Sequence, residues 1–267
     1  MSARRSVRAV AALAPIVVAI ALVPVAWHVA AAPADARHSG FDDMTPEVQA
    51  MQRDDALNPA FLWVRDGEAA WSRAAGHENR SCASCHGDAA ASMRGVAARY
   101  PAFDAASDAP LDLGGRINAC RVRHQGAPVL ARESDELLAL EAWVAFQSRG
   151  LPLAPDGDAR LAPFRAAGER LWRRRMGQLD VSCAQCHEGH SGQRLAGSTI
   201  PQAHPTGYPL YRLEWQTLGS LQRRLRGCMS GVRAEPFPFD AQELVDLELY
   251  LAQRAAGLRV ETPAVRP

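Results

Sequence analysis

Cys82-Ala-Ser-Cys85-His86 and Cys183-Ala-Gln-Cys186-His187 place one five-residue pattern, C-x-x-C-H, twice in the chain at a shift of 101 residues. No other feature restricts the fold as strongly. Two thiols three residues apart can bond the two vinyl groups of a porphyrin as thioethers, and the adjacent imidazole then reaches the iron from one face. Two C-x-x-C pairs could instead hold zinc, but a histidine follows the second cysteine in both copies. A redox dithiol is disfavoured, because neither copy has the Gly-Pro-like linker of such centres. The spacing therefore predicts two covalently bound c-type haems, attached through Cys82 and Cys85 and through Cys183 and Cys186. His86 and His187 are then the first ligands to each iron.

The motifs belong to a longer repeat. Gly67, Glu68 and Trp71 recur at the same shift as Gly168, Glu169 and Trp172, and "LLALEAWVAFQSRGL" matches "LVDLELYLAQRAAGL" at a shift of 107. Two copies of one mono-haem unit are implied. The expected fold class is mainly α, with two tandem cytochrome c-like domains over residues 35–155 and 156–267. Their boundary falls in "LPLAPDGDAR", residues 151–160, whose composition suits a linker. Each unit reads as a helix carrying the tryptophan, a second helix before an unpaired cysteine, and a closing helix. Ser134, followed by two acids, and Asp240, followed three residues later by Glu243, are the expected caps of the closing helices, with Gly150 and Gly257 as stops. Trp71, Trp172, Trp143 and Tyr250 fall at core positions of the helical pattern.

The N-terminus predicts export. Arg4, Arg5 and Arg8 precede an apolar run, and small residues around Ala32 to Ala34 suit a signal peptidase, so residues 1–34 read as a signal peptide. A retained membrane anchor is the alternative, but Pro15 and Pro24 interrupt the run. The expected location is periplasmic, with the signal cleaved and no stable membrane anchor. The thirty basic residues are all arginine, three of them within the signal, which leaves 27 against 29 acids and a net charge of about −2. Nothing in this balance favours nucleic acid. An anion site must be built by local arginine placement.

Cys120 and Cys228 remain, and they occupy matched positions at a shift of 108. They could bond each other, be inert buried thiols, or each be the distal ligand of its own haem; the duplication favours the last. Met93, Met176, Met229, His77, His124, His190 and His204 are the other available distal ligands. Arg224 lies four residues before Cys228, on one helix face with it, while Arg223, Arg226 and Arg233 add positive charge nearby. A guanidinium there could hold a sulfur oxyanion or lower the thiol pKa. A solvated basic face would look the same, and Arg116 stands at the same offset from Cys120.

With "RRLRGCMSGVRAEPFPFDAQELVDLELYLAQRAAGLRVETPAVRP" added to the two haem motifs, nearly all of the chain after the signal resembles the di-haem SoxA family, the larger subunits of thiosulfate-oxidising SoxAX cytochromes. The resemblance implies that Cys228 is the catalytic residue, a second-haem ligand able to carry a cysteine persulfide, that Arg224 binds substrate, and that Cys120 ligates the first haem. It also implies a mono-haem SoxX subunit and a reaction in which thiosulfate is joined to a cysteine of the SoxYZ carrier. Electrons then pass through haem to a c-type cytochrome acceptor. The alternative is a periplasmic di-haem electron carrier or a thiosulfate dehydrogenase forming tetrathionate.

Overall fold

The computed structural model describes residues 35–267, so the expected signal peptide lies outside the described residues. The sequence repeat is a repeat of structure. In the first half, α1 (Pro46–Arg53) is followed by α2 (Phe61–Ser72), the one-turn haem-motif helix α3 (Cys82–His86) and α4 (Ala89–Ser92). A hairpin, β1 (Ala102–Asp104) and β2 (Ala109–Leu111), then leads into α5 (Leu113–Cys120), a π-turn over Arg121–Gln125, and α6 (Asp135–Phe146). The second half has α7 (Ala162–Arg173), the motif helix α8 (Cys183–His187), and a small hairpin, β3 (Arg194–Leu195) with β4 (Ser198–Thr199), where the first half has α4. It continues with hairpin β5 (Leu210–Arg212) and β6 (Thr217–Gly219), α9 (Leu221–Gly231), α10 (Gln242–Arg254) and a final strand, β7 (Ala264–Arg266).

Local chemistry sets the helix starts. Ser81 and Ser182 accept the Ser84 and Gln185 amides at 3.0 and 3.2 Å, capping the two motif helices, and Gln185 completes a capping box in the second. Asp112 and Ser220, again 108 apart, cap α5 and α9. Ser134 caps α6 as expected, but Asp240 does not cap α10. The cap position belongs to Ala241, and Asp240 adopts a positive φ of 63° that turns its carboxylate to the Arg132 guanidinium, 2.6 Å away in the other half. Charge pairing across the halves has displaced the local cap.

Within each half the tryptophan-bearing helix crosses the closing helix at a glycine. A Cβ on Gly67 would fall 2.0 Å from the Ala139 carbonyl oxygen, and one on Gly168 would fall 2.0 Å from that of Asp246. The backbones touch there, with Trp143 and Tyr250 packed beside the contact. The core then runs across the repeat. Tyr211, Leu218 and Val265 from the second half pack on Val64, Leu138 and Ala142 of the first, and β7 pairs parallel to β5. The expected linker is equally embedded: Leu153 is buried against Ala98, Ala255 and Val260, and its amide donates to the Leu258 carbonyl at 2.7 Å. Residues 36–267 form one compact unit.

A buried ionic cluster joins the halves. Arg132 makes two bonds to Asp112, at 2.8 and 2.6 Å, and Gln222 donates to Asp112 at 3.1 Å. Glu141 and its repeat partner Glu248 line the adjoining cavity of about 90 Å³, and Oε1 of each is buried without a hydrogen-bond partner. Burial first, then the Asp112 charge, pushes the Glu141 carboxyl up to about 8, with Arg132 opposing; the same two causes raise Glu248.

Two outcomes follow for stability. Gly168→Ala should destabilise the holo-protein by about 1–3 kcal/mol in chemical denaturation, despite alanine's better helix propensity, because overpacking outweighs it. Gly157→Ala, with no atom within 4 Å of the added methyl, should leave the midpoint unchanged. Equal effects would contradict the close crossing. Glu141 keeps in the folded chain a proton that the unfolded chain releases near the ordinary glutamate value, so its contribution to stability falls as pH rises from roughly 5 to 8, by up to about 1.4 kcal/mol per pH unit. Glu141→Gln should flatten that decline and raise Tm at pH 8 more than at pH 5. Parallel Tm curves for the two proteins would contradict the raised pKa.

Candidate functional site

The serine caps hold each motif in a single helical turn, which turns the two thiols and the histidine toward one side. A tryptophan four residues after each crossing glycine lies on the same helix face and backs the histidine. Trp71 and His86 have ring centroids 5.7 Å apart, as do Trp172 and His187. Each indole is itself anchored at the exit of the motif helix, Trp71 donating to the Gly87 carbonyl at 3.0 Å and Trp172 to Glu188 at 2.8 Å. The Arg254 guanidinium covers the other side of Trp172, 4.4 Å from the ring centroid. His187 is oriented further by the Pro201 carbonyl, which accepts from Nδ1 at 2.7 Å and leaves Nε2 with its lone pair. Burial lowers its pKa, with the Pro201 bond opposing and the Arg224 charge adding to the fall.

Cys120 ends α5 and Cys228 lies within α9, and each stands near the motif of its own half. The Cys120 charge raises the Cys82 thiol after burial does, and Cys228 adds to the burial that pushes Cys183 up to about 11. No disulfide joins Cys120 to Cys228. Met229, the other sulfur beside Cys228, is buried in the second-half core among Leu171, Trp172 and Leu247.

This donor set fits haem. Each half offers two thiols in one turn, a backed imidazole and a further thiol. Among the described residues no three His, Cys, Asp or Glu side chains converge closely enough for a bare metal ion.

The two halves differ in charge at the unpaired thiol. Arg116, one turn before Cys120, is bound to Asp104 at 2.9 Å, and Asp104 also takes two bonds from Arg123, at 2.9 and 2.8 Å. Those bonds hold the Asp104 carboxyl well below its usual range. At the matched positions of the second half stand Arg224, Arg212 and Gly231. No acid pairs with Arg224 among the described residues; its charge acts instead on His187, Tyr208 and Arg212. Two of the other arginines expected to add charge are engaged elsewhere. Arg223 lies over Trp215 and 3.9 Å from Glu133, and Arg226 bonds the Phe237 carbonyl. The sequence reading missed Asp104, Arg123 and Arg212, although the shift of 108 that aligns the cysteines also aligns Asp104 with Arg212.

Paired C-x-x-C-H turns backed by tryptophan define a cytochrome c-type protein, in which c-type haem is covalently bound. The comparisons narrow the class. The SoxA/TsdA cytochrome c domain family matches residues 66–153 and 167–260. The L-cysteine S-thiosulfotransferase subunit SoxA of Pseudaminobacter salicylatoxidans is 37% identical over 88% of this chain and 82% of the relative. That of Rhodovulum sulfidophilum is 35% identical over 87% and 81%. The crystal structure of SoxXA from P. pantotrophus superposes with a TM-score of 0.83 at 33% identity, covering 86% of this chain and 87% of that one. The chain belongs to the SoxA family and is a subunit of an L-cysteine S-thiosulfotransferase. Among the described residues no helix is long and apolar enough to cross a membrane.

Proposed function

We propose that this subunit joins thiosulfate oxidatively to a cysteine of a SoxYZ carrier in the periplasm, together with a mono-haem SoxX subunit, at Cys228. The observation that carries the reading is the contrast between Arg224, with no acid partner among the described residues, and Arg116, tied up in an ion pair with Asp104. Only the second thiol has a guanidinium free to hold a sulfur oxyanion by paired, charge-assisted hydrogen bonds. Its position four residues before Cys228 on α9 sets that anion beside the sulfur. The sulfane sulfur of thiosulfate is joined to the Cys228 sulfur, which can also carry an extra sulfur as a persulfide. The carrier thiolate then attacks the sulfane sulfur and Cys228 leaves. In sum, carrier thiol plus thiosulfate gives carrier S-thiosulfonate, one proton and two electrons.

Each half of the chain acts as a cytochrome c-like domain with one haem. His86 and Cys120 would hold the first iron, His187 and Cys228 the second. Haem, when bound, supplies a one-electron couple through which both electrons can leave, singly, to a c-type cytochrome acceptor. The protein's own contribution is to fix the imidazole against Pro201, hold the dianion and present the thiol.

Cys228→Met should keep both covalent haems and the partner subunit yet lose carrier conjugation to background, since a thioether forms neither a persulfide nor a mixed disulfide. Arg224→Ala should impair turnover on the order of tenfold to a hundredfold, the loss of one or two charge-assisted bonds. Arg116→Ala should be far milder. Carrier modification is read by mass. Near wild-type turnover in the Met variant, or thiosulfate converted to tetrathionate as readily as the carrier is modified, would overturn the proposal.

A further inference from the structure

The hairpin ahead of each thiol-bearing helix ends its first strand on a charged residue, Asp104 in β1 and Arg212 in β5. The two hairpins share their register, with Asp104 opposite Ala109 and Arg212 opposite Thr217. The caps Asp112 and Ser220 and the helices they start follow at the same shift. Position 212 therefore stands to position 224 as 104 stands to 116, and in the first half those two side chains touch at 2.9 Å. An ion pair closes the space in front of Cys120. In the second half the same construction sets Arg212 where the Arg224 charge acts on it.

Arg212 is poorly satisfied as it stands. Its side chain is only 13% exposed, its acid partner Glu214 lies 3.0 Å away but is 65% exposed, and Trp215 sits under the guanidinium at 5.2 Å. Its Nε is buried with no hydrogen-bond partner. Burial and then the Arg224 charge lower its pKa, as two cations facing one space should do to each other. Gly231, in place of Arg123, leaves the approach open, since a Cβ there would meet nothing within 4 Å. Two like charges beside an unbonded N–H are unfavourable until an anion lies between them. A dianion whose sulfonate oxygens accept from both forks satisfies all three groups at once.

We infer that Arg212 is a second substrate-binding residue, forming with Arg224 a two-guanidinium clamp on the sulfonate end of thiosulfate and leaving its sulfane sulfur directed at Cys228. The inference rests on the proposed function for the identity of the anion. A single guanidinium covers two of the three sulfonate oxygens; the second arm holds the third and discriminates against monoanions. The first half has no counterpart, because Asp104 replaces the arm.

The test uses the holo-protein with its small haem subunit and the carrier, comparing wild type with Arg212→Gln, Arg212→Lys and Arg212→Asp. Arg212→Gln should raise the thiosulfate KM on the order of tenfold to a hundredfold and change kcat much less, with haem content and midpoint potentials unaltered. Arg212→Lys should recover part of the affinity, and Arg212→Asp, which recreates the first-half ion pair, should resemble Arg224→Ala. If the glutamine variant does not fold, the lysine variant still decides, because an ammonium lacks the bidentate fork. An unchanged KM in the folded variants overturns the clamp, and so does a shifted haem potential with unchanged KM, which would assign Arg212 to a haem propionate. Calorimetric titration with thiosulfate alone separates the two readings. Weaker binding in Arg212→Gln with a wild type that modifies no carrier would sink the proposed function and keep the clamp. Equal binding with an active wild type would do the reverse.

Discussion

Two backbones touch where Gly168 of α7 meets the Asp246 carbonyl of α10, and again where Gly67 of α2 meets that of Ala139. That contact fixes the height at which the helices cross, and a tryptophan one turn further on is carried with it. Trp172 then reaches the His187 ring and the Glu188 carboxylate together, so the orientation of the motif turn is inherited from the crossing. A side chain larger than hydrogen at the glycine would separate the helices and withdraw the indole from the imidazole. The orientation of each C-x-x-C-H turn thus depends on a contact between two helix backbones.

Duplication supplied two copies of this arrangement, and the chemistry rests on where they stopped being alike. The thiol, the cap, the hairpin and the arginine one turn before the thiol are common to both. The first half adds Asp104 and Arg123, which lock Arg116 into an ion-pair network. The second half replaces those residues by Arg212 and Gly231, which removes a carboxylate and opens space. A change of two side chains takes the carboxylate away from the arginine one turn before the thiol and sets a second guanidinium in its place, within a chain whose net charge is close to zero. The halves also exchange structure, through β7 alongside β5 and the Arg132 cluster, so neither is an independent bead on a linker.

Much of this could be read from the sequence because it is local or repeated. Motif spacing, the Ser134 cap and the shared face of Arg224 and Cys228 all depend on neighbours within about four residues, whereas the one-sided burial that the apolar spacing of α6 and α10 suggests is replaced by unbroken burial over residues 137–142 and 244–249. The failures involve distant partners. Asp240 looked like a helix cap and is instead an ion-pair partner of Arg132. Composition also hid the burial of Leu153 within residues 151–160, because its partners at 255–260 are a hundred residues away. The neutralisation of Arg116 needs a carboxylate twelve residues back across a hairpin, which periodicity cannot reveal. Aligning the hairpins as well as the cysteines would have exposed the exchange of Asp104 for Arg212.

The central claim is that one of two equivalent thiols is the sulfur-carrying residue and the other is not. Peptide mapping by mass on protein exposed to thiosulfate and its acceptor tests it directly, with the haem-free peptides bearing Cys120 and Cys228 resolved in one digest. The account expects an extra sulfur on the Cys228 peptide alone, removed by cyanide together with carrier-conjugating activity. Equal sulfur on the Cys120 peptide, or full activity in protein whose Cys228 has been stripped by cyanide, would contradict it.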